Sequence, residues 1–280
     1  MPPATRTRVL ILVKTYPTLS RKYGELVCTA GMREDGSWIR LYPIRFRELG
    51  DDNRFKKFHW IEADVEKSTS DDRPESHRVV DFRKIDVVGN METGKDWTVR
   101  RQFVLRNVRR NLAALIAEAR DRKTMTSLAI FKPSRILGFV YEKADSEWDP
   151  VALEQFKQAN LFEDYGSLDD LVEKIPWKFS IRIEDDSGKA SQMMVEDWEI
   201  CQLYRNLIHG GRAPKDAAIE TCDFYTHLAK TKDMHLFLGT TKEFHSIGPN
   251  PFIVIGVFYP PKRIQLDLLD FSSDADQGST

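Results

Sequence analysis

The chain has 280 residues, 41% hydrophobic and 30% charged, with a formal net charge of -1. This composition excludes a disordered chain and a globally basic nucleic-acid coat, and the length suffices for one large domain or two small ones. Charge is nevertheless uneven. Residues 1–60 hold twelve Lys and Arg against six Asp and Glu, a local excess of +6, whereas the segment after Arg263 has four Asp and no base. A basic N-terminal half points to an anionic partner. Three separated cysteines, Cys28, Cys201 and Cys222, offer neither a zinc knuckle nor a disulfide framework. They fit a reducing cytoplasm. The apolar run "VLILV" is too short for a signal sequence or a membrane span, so no membrane partner is expected.

In chain order, "RVLILVKTY" reads as a core strand. "GELVCTAGMRE" and "SWIRLYPI" read as strands joined at Asp35-Gly36, the composition of a two-residue type I′ hairpin. "HWIEADVEK" alternates again, "STSDDRPES" is a polar loop, and "HRVVDFRKIDVVG" is a fifth strand. The spacing from Arg101 to Lys123 is helical, with a basic opposite face. Next come the strand "SLAIFKPSRILGFVYEK", broken at Pro133, and short helices in "DPVALEQFKQAN" and "SLDDLVEKI". "WKFSIRIEDDSGKASQMMVEDW" is a hairpin around Asp186-Ser187-Gly188. A helical stretch from Trp198 to Lys230 breaks near Gly210-Gly211, and "HLFLGTT" and "NPFIVIGVFYP" close the chain as apolar strands.

A two-residue loop would pair Arg33 with Trp38, Met32 with Ile39, Gly31 with Arg40 and Thr29 with Tyr42. One face then holds Met32, Ile39 and Leu41. The other holds Arg33, Trp38, Arg40 and Tyr42. Flat aromatic rings beside guanidinium groups suit base stacking and backbone phosphates. The expected nucleic-acid surface is therefore Arg33, Trp38, Arg40 and Tyr42, with Arg45, Arg47, Lys56 and Lys57 as phosphate contacts. The competing reading buries Trp38 and Tyr42 beneath a neighbouring element, with Arg40 snorkelling outward.

Other features compete less well. The basic helix face reads either as a phosphate track or as an ordinary solvated face. The polar loop from Thr240 to Phe252 carries Lys242, Glu243 and His245, which form the alternative site and are expected to be solvent-accessible. Glu62, Asp64 and Glu66 alternate along one strand face, in the manner of a metal site or of an exposed edge. No phosphate-loop, dinucleotide-binding, nucleophile-elbow or H-E-x-x-H motif is present. The expectation is no catalytic residue, no metal and no cofactor.

The segment "GELVCTAGMREDGSWIRLYPI", through Ala30, Gly31, Gly36, Trp38, Ile39, Arg40 and Pro43, resembles the opening of the dual OB domain-containing family of prokaryotic proteins. The resemblance implies nucleic-acid binding in a defence or mobile-element system, with other subunits of a multi-gene system as partners. The whole reads as an α+β chain. Residues 1–94 form an OB-like or PUA-like small β-barrel and 95–145 a basic helix with a connecting strand. Residues 146–270 form a second β-rich unit with helical insertions, and 271–280 a disordered tail. The function read from this is non-catalytic binding of DNA or RNA, single-stranded or structured. The alternatives are an enzyme acting on nucleic acid or nucleotides, with Glu243 and His245 or Asp64 and Glu66 at its centre, and a protein–protein adaptor.

Overall fold

A computed structural model describes residues 3–20, 24–44, 49, 54–151, 153–154 and 173–263. The N-terminal strands are β1 (Thr5–Lys14), β2 (Thr18–Ser20), β3 (Gly24–Arg33), β4 (Trp38–Ile44), β5 (His59–Lys67), β6 (Ser76–Val79) and β7 (Asp86–Asn90). Their order is β1-β3-β4-β6-β5, and β5 pairs back onto β1 to close a five-stranded barrel. All these pairings are antiparallel except β4 with β6. This is the small closed barrel of the OB class, a device that leaves few strand edges exposed. Val9, Ile11, Ile39, Leu41, Ile61 and Ala63 fill its interior.

The second unit is a seven-stranded mixed sheet, built from β8 (Val108–Arg109), β9 (Leu128–Phe131), β10 (Arg135–Lys143), β11 (Trp177–Glu184), β12 (Ala190–Val195), β13 (His235–Thr240) and β14 (Phe252–Phe258). Its order is β10-β11-β12-β14-β13-β9-β8. The helices that lie wholly within the described residues are α1 (Thr98–Val104), α2 (Leu112–Arg120), α3 (Trp198–His209) and α4 (Pro214–Thr231). Asn111 caps α2 by accepting from the Ala114 amide. Asp197 caps α3, which stops at Gly210, and Pro214 opens α4 at the one place where its missing N–H costs nothing.

Strand alternation sorts the cores. On β9 and β13, Ala129, Phe131, Leu236 and Leu238 face the helices, while Leu128, Ile130 and Phe237 face the barrel. On β1, Leu10 and Leu12 face that same joint while Val9 and Ile11 point into the barrel. The barrel wall and the sheet thus share one apolar layer, with Ala30 and Met32 on the barrel side and Ile255 and Phe258 on the other.

The hairpin register differs from expectation by one residue. Met32 pairs with Trp38, Gly31 with Ile39, Ala30 with Arg40 and Thr29 with Leu41. The loop has three residues, closed by the Arg33 amide to the Ser37 carbonyl at 2.9 Å, with Gly36 at φ +85°. Glycine takes that left-handed position readily, so the turn becomes a bulged three-residue type. Ile39 and Leu41 do lie opposite Trp38 and Arg40, but Met32 joins Trp38 at the joint. Gly31 turns inward, where any Cβ would overlap the Leu10 carbonyl oxygen.

Two long elements are interrupted. The fifth strand splits into β6, a 3-10 turn at Phe82–Lys84 and β7, because Asp81 caps the turn through the Arg83 amide. The basic helix splits into α1 and α2, because Val108 and Arg109 leave helical form to pair with β9. Strands β8 to β10 belong to the second sheet, so the segment 95–145 is not a unit of its own. The helices read in "DPVALEQFKQAN" and "SLDDLVEKI" lie largely outside the described residues, as does the tail.

A buried polar lock closes the joint. Arg40, 3% exposed, donates from Nη1 to Ser76 Oγ at 3.1 Å and Ser127 Oγ at 2.8 Å, and from Nη2 to the Ser127 carbonyl at 3.1 Å. Glu75 grips the same serine, accepting from its amide at 3.0 Å and from its hydroxyl at 2.7 Å. Arg73 donates to the Thr240 carbonyl and pairs with Asp71 at 2.5 Å. Barrel residues thus tie to both strands of the β9–β13 pair, at the end where the Thr240 amide meets the Ser127 carbonyl. Arg40→Ala removes one buried cation from a network with two carboxylates, so it should destabilise the protein by about 3–5 kcal/mol in chemical denaturation. A change within about 0.5 kcal/mol would show that the lock is not a structural element.

Candidate functional site

The cleft that the joint creates lies where the end of β1, the loop before β5 and the start of α1 meet the start of α3 and the end of β14. It encloses about 440 Å³, within the span of roughly 300–1,000 Å³ usual for ligand sites. The barrel contributes Leu12, Lys14, Lys56, Lys57 and Phe58, and the α1 region contributes Trp97 and Arg100. The second unit contributes Asp197, Trp198 and Glu199 at the α3 N-terminus, with Val257, Phe258 and Tyr259 from the end of β14.

Aromatic side chains make the walls. Trp97 stands 6.2 Å from Phe58, 5.6 Å from Phe258 and 6.0 Å from Tyr259, measured between ring centroids. Phe58 and Trp97 hold φ values of +67° and +57°, which bulky side chains rarely adopt. Hydrogen bonds hold Phe58 there: its amide donates to the Ile11 carbonyl at 2.6 Å and its carbonyl accepts from Met91 at 2.8 Å. Such strained backbone concentrates at binding sites, where surrounding structure fixes it.

Cations line the rim. The Arg100 guanidinium lies 3.8 Å from the Phe58 ring centroid and the Lys14 ammonium 5.0 Å from the Trp198 ring. Lys56 is exposed. Lys57 is committed, donating to Glu199 Oε2 at 2.6 Å and to the Val257 carbonyl at 2.7 Å. Burial pulls its ammonium down, but Glu199 and Asp197 outweigh this and its pKa is raised. Burial lowers Lys14 to about 8, assisted by Lys56 and Lys57 and opposed by Glu199. Among the described residues that line the cleft, Lys14, Lys56, Lys57 and Arg100 are the cations and Asp197 and Glu199 the carboxylates, with Lys57 paired to Glu199.

Asp197 is 3% exposed. Its Oδ1 accepts from the Glu199 amide at 2.8 Å as the α3 cap, while Oδ2 has no donor in hydrogen-bonding geometry. Burial is the main cause that pushes its pKa up, to about 7, against the pull of Lys57 and with a further push from Glu199.

The residues singled out in the sequence are dispersed. Trp38 packs edge-on against Phe237 at 5.9 Å and Arg40 is sealed in the joint, so neither forms an open stacking platform. The second sheet, invisible to a hairpin argument, covers that face. Arg33 is half-buried, bonded to Ser37 Oγ at 3.2 Å, the Trp38 carbonyl at 3.0 Å and His77 Nε2 at 3.2 Å. Tyr42 is 42% exposed. Arg45 and Arg47 lie outside the described residues. Lys56 and Lys57 do reach the cleft, though Lys57 serves an ion pair.

In the alternative loop, Lys242 and Glu243 are exposed, but His245 is buried at 4% and its Nδ1 lies 2.9 Å from Thr240 Oγ1. Loop closure onto the joint pulled the imidazole inward, so the expected accessible trio does not form. Glu62 and Asp64 face Arg6 at 3.7 and 4.0 Å, and Glu66 pairs with Arg78. Among the described residues no three His, Cys, Asp or Glu converge as metal ligands, and no helix is long and apolar enough to cross a membrane. The basic helix face is divided too: Arg101 bonds Asp233 at 2.8 Å and Arg109 bonds Glu118 at 2.8 Å. Arg100, one of the basic-helix residues read as a possible phosphate track, does reach the cleft, whereas Lys14, Trp97 and the Asp197-Trp198-Glu199 turn were missed as site residues. The Asp-Trp-Glu run before an apolar helix was the available signal.

A carboxyl raised in the folded state stabilises the protein below its unfolded pKa near 4, and that stability is lost as pH rises toward about 7. Asp197→Asn keeps a capping oxygen and cannot ionise. It should remove this slope and raise Tm at pH 8 by roughly 2 °C or more, with little change at pH 4. Thermal melts at the two pH values check this, and equal shifts at both would contradict it.

The family described as Domain of unknown function (DUF8758) matches residues 5–106, and the family described as Domain of unknown function (DUF8757) matches residues 106–273. A comparison with curated proteins found no match. Among solved structures the chain is similar to the tetrameric p202 HIN2, at 8% identity over 93% of this chain and 94% of that one, with a TM-score of 0.30. It is also similar to a murine DNA-binding protein bound with double-stranded DNA, at 12% identity over 93% and 97% of the two chains, again at 0.30. Scores of that size are too low to transfer a fold or a function. The boundary between the two family matches falls at Arg106, between α1 and β8, where the barrel gives way to the second sheet. The DUF8757 match spans more than half of the sequence, and the chain therefore belongs to that family of unknown function, with a DUF8758 match over its barrel.

Proposed function

We propose that this protein binds nucleic acid in the cleft between its two units, as a single strand or an unpaired segment. One observation carries the reading: Lys14, Lys56 and Arg100 ring a cleft walled by Trp97, Trp198, Phe58 and Tyr259. Cations track a phosphate backbone, and aromatic walls accept unstacked bases. A duplex keeps its bases stacked inside, so the aromatic walls serve only a strand whose bases are free. The resemblance around Gly31, Trp38 and Arg40 supports placing this activity in a prokaryotic defence or mobile-element system, with the protein as a cytoplasmic accessory that performs no chemistry.

A second reading has its own observation. Asp197 and Lys14 line one cleft, and burial pushes the carboxyl up and the ammonium down, in the directions that acid–base catalysis on a nucleic acid or nucleotide uses. Recovery of intact oligonucleotide after long incubation separates binding from turnover.

Fluorescence titration with single-stranded oligonucleotides is the direct test. Trp198→Ala should weaken binding by about 1–3 kcal/mol. Lys56→Ala, at an exposed position, should reduce the slope of log affinity against log salt by about 0.7, as one lost phosphate contact on a single strand does. Wild-type protein that binds no oligonucleotide at low salt would refute the reading.

A further inference from the structure

A second concavity, of about 390 Å³, opens where the end of α4 meets the segment that leaves β14. Backbone pairing brings its walls together: Lys232 and Pro261 form an antiparallel bridge, and the Asp233 amide donates to the Pro260 carbonyl at 2.9 Å. Among the described residues that line it, Lys132, Lys232, Lys262 and Arg263 are the cations and Asp233 the carboxylate. That carboxylate is already engaged, accepting from Lys132 Nζ at 2.5 Å and from Arg101 Nη1 at 2.8 Å. Burial would raise its pKa, but those hydrogen bonds outweigh burial and hold it below the usual range. Lys262 donates to the Lys230 carbonyl at 2.6 Å, where a helix C-terminus carries roughly half a negative charge, and its other N–H groups remain available. Lys232, half-buried, and Arg263, exposed, engage no carboxylate among the described residues. Like charges gathered in a concavity repel one another and focus their field on whatever enters. The pocket therefore favours an anion.

The pocket adjoins the cleft. Tyr259 lines the cleft and Lys262, three residues on, lines the pocket, so their Cα atoms stand at most about 11 Å apart. On α1, Arg100 lines the cleft while Arg101 bonds Asp233 and the Pro261 carbonyl. Resting on the nucleic-acid reading above, we propose that Lys232, Lys262 and Arg263 form a second phosphate-binding site, which takes the backbone of a strand as it leaves the cleft. The two linings divide the work. The cleft has aromatic walls, whereas no aromatic ring is among the described residues that line the pocket. The pocket thus holds phosphate and reads no base, in the manner of contacts that position a strand without selecting its sequence. A phosphate group on a free compound presents the same chemistry, and the experiment separates the two sources.

The test uses the full chain and the double variant Lys232→Gln, Arg263→Gln, which leaves Asp233 and its ion pairs in place. Affinity is measured against salt for oligo-dT from the dinucleotide up to about 16 nucleotides, the upper site size usual for one such barrel. A dinucleotide has a single phosphodiester and cannot fill both sites. On the longest strands the variant should reduce the slope of log affinity against log salt by about 1.4, at about 0.7 for each lost contact. The reduction should shrink as the strand shortens. Titration calorimetry with inorganic pyrophosphate tests the free source. Pyrophosphate binding that the variant abolishes, with no change in the slope on any strand, would keep the phosphate site and overturn its use by the strand. A reduction independent of strand length would show a diffuse field and overturn the site. A variant that matches wild type on every strand and on pyrophosphate would overturn it too, leaving binding in the cleft intact. If no strand binds the wild type, the nucleic-acid reading falls, and pyrophosphate alone decides whether the pocket takes phosphate.

Discussion

Burying a guanidinium is costly unless every donor finds a partner, and Arg40 is the place where this chain meets that cost. Its donors reach Ser76 on the barrel and Ser127 just ahead of β9, and Glu75 holds the same serine from the other side. Arg73 extends the lock to Thr240 at the end of β13. Hydrophobic contact between a barrel and a sheet is non-directional and would tolerate sliding. Directed hydrogen bonds between buried groups do not, so the lock fixes the rotation of one unit on the other. The remaining architecture follows from that rotation.

The cleft is the main consequence. Lys14 ends a barrel strand, Lys56 and Phe58 sit on the loop before β5, and Asp197 and Trp198 begin a helix of the second unit. None of these groups makes a site alone. Held together, they give a cationic rim, aromatic walls and a carboxyl floor within one concavity. The left-handed backbone at Phe58 and Trp97 shows the same logic locally, since both are aromatic wall residues and Phe58 is held by hydrogen bonds to β1 and Met91. Lys57 and Glu199 add a cross-unit ion pair at the cleft margin, with Lys57 Nζ also bound to the Val257 carbonyl.

Much of the fold was legible because strand alternation is a local signal. Val9 and Ile11 against Leu10 and Leu12 read correctly as a buried strand, and the break between α3 and α4 was visible at Gly210-Gly211. Register was less legible, since Asp35-Gly36 suits a two-residue loop as well as the three-residue loop that forms, and only the tight approach of Gly31 to Leu10 decides. The lock was hidden altogether. Asp71, Arg73, Glu75 and Ser76 look like a solvated loop, and nothing local says that a distant sheet will bury them. Trp38 and Arg40 were singled out for the right chemical types, but their surface belongs to the joint. Lys56 and Lys57 were found from charge alone, whereas Lys14, Arg100 and Asp197 come from separate segments that only the tertiary fold joins.

On the proposed function, ligand enters the cleft and not the β3–β4 hairpin. Amide hydrogen exchange with and without a single-stranded oligonucleotide tests it most directly. Added protection is expected at 54–60, 95–100, 196–200 and 257–259, with the hairpin at 33–42 unchanged. Protection confined to 33–42, or spread without relation to the cleft, would contradict it.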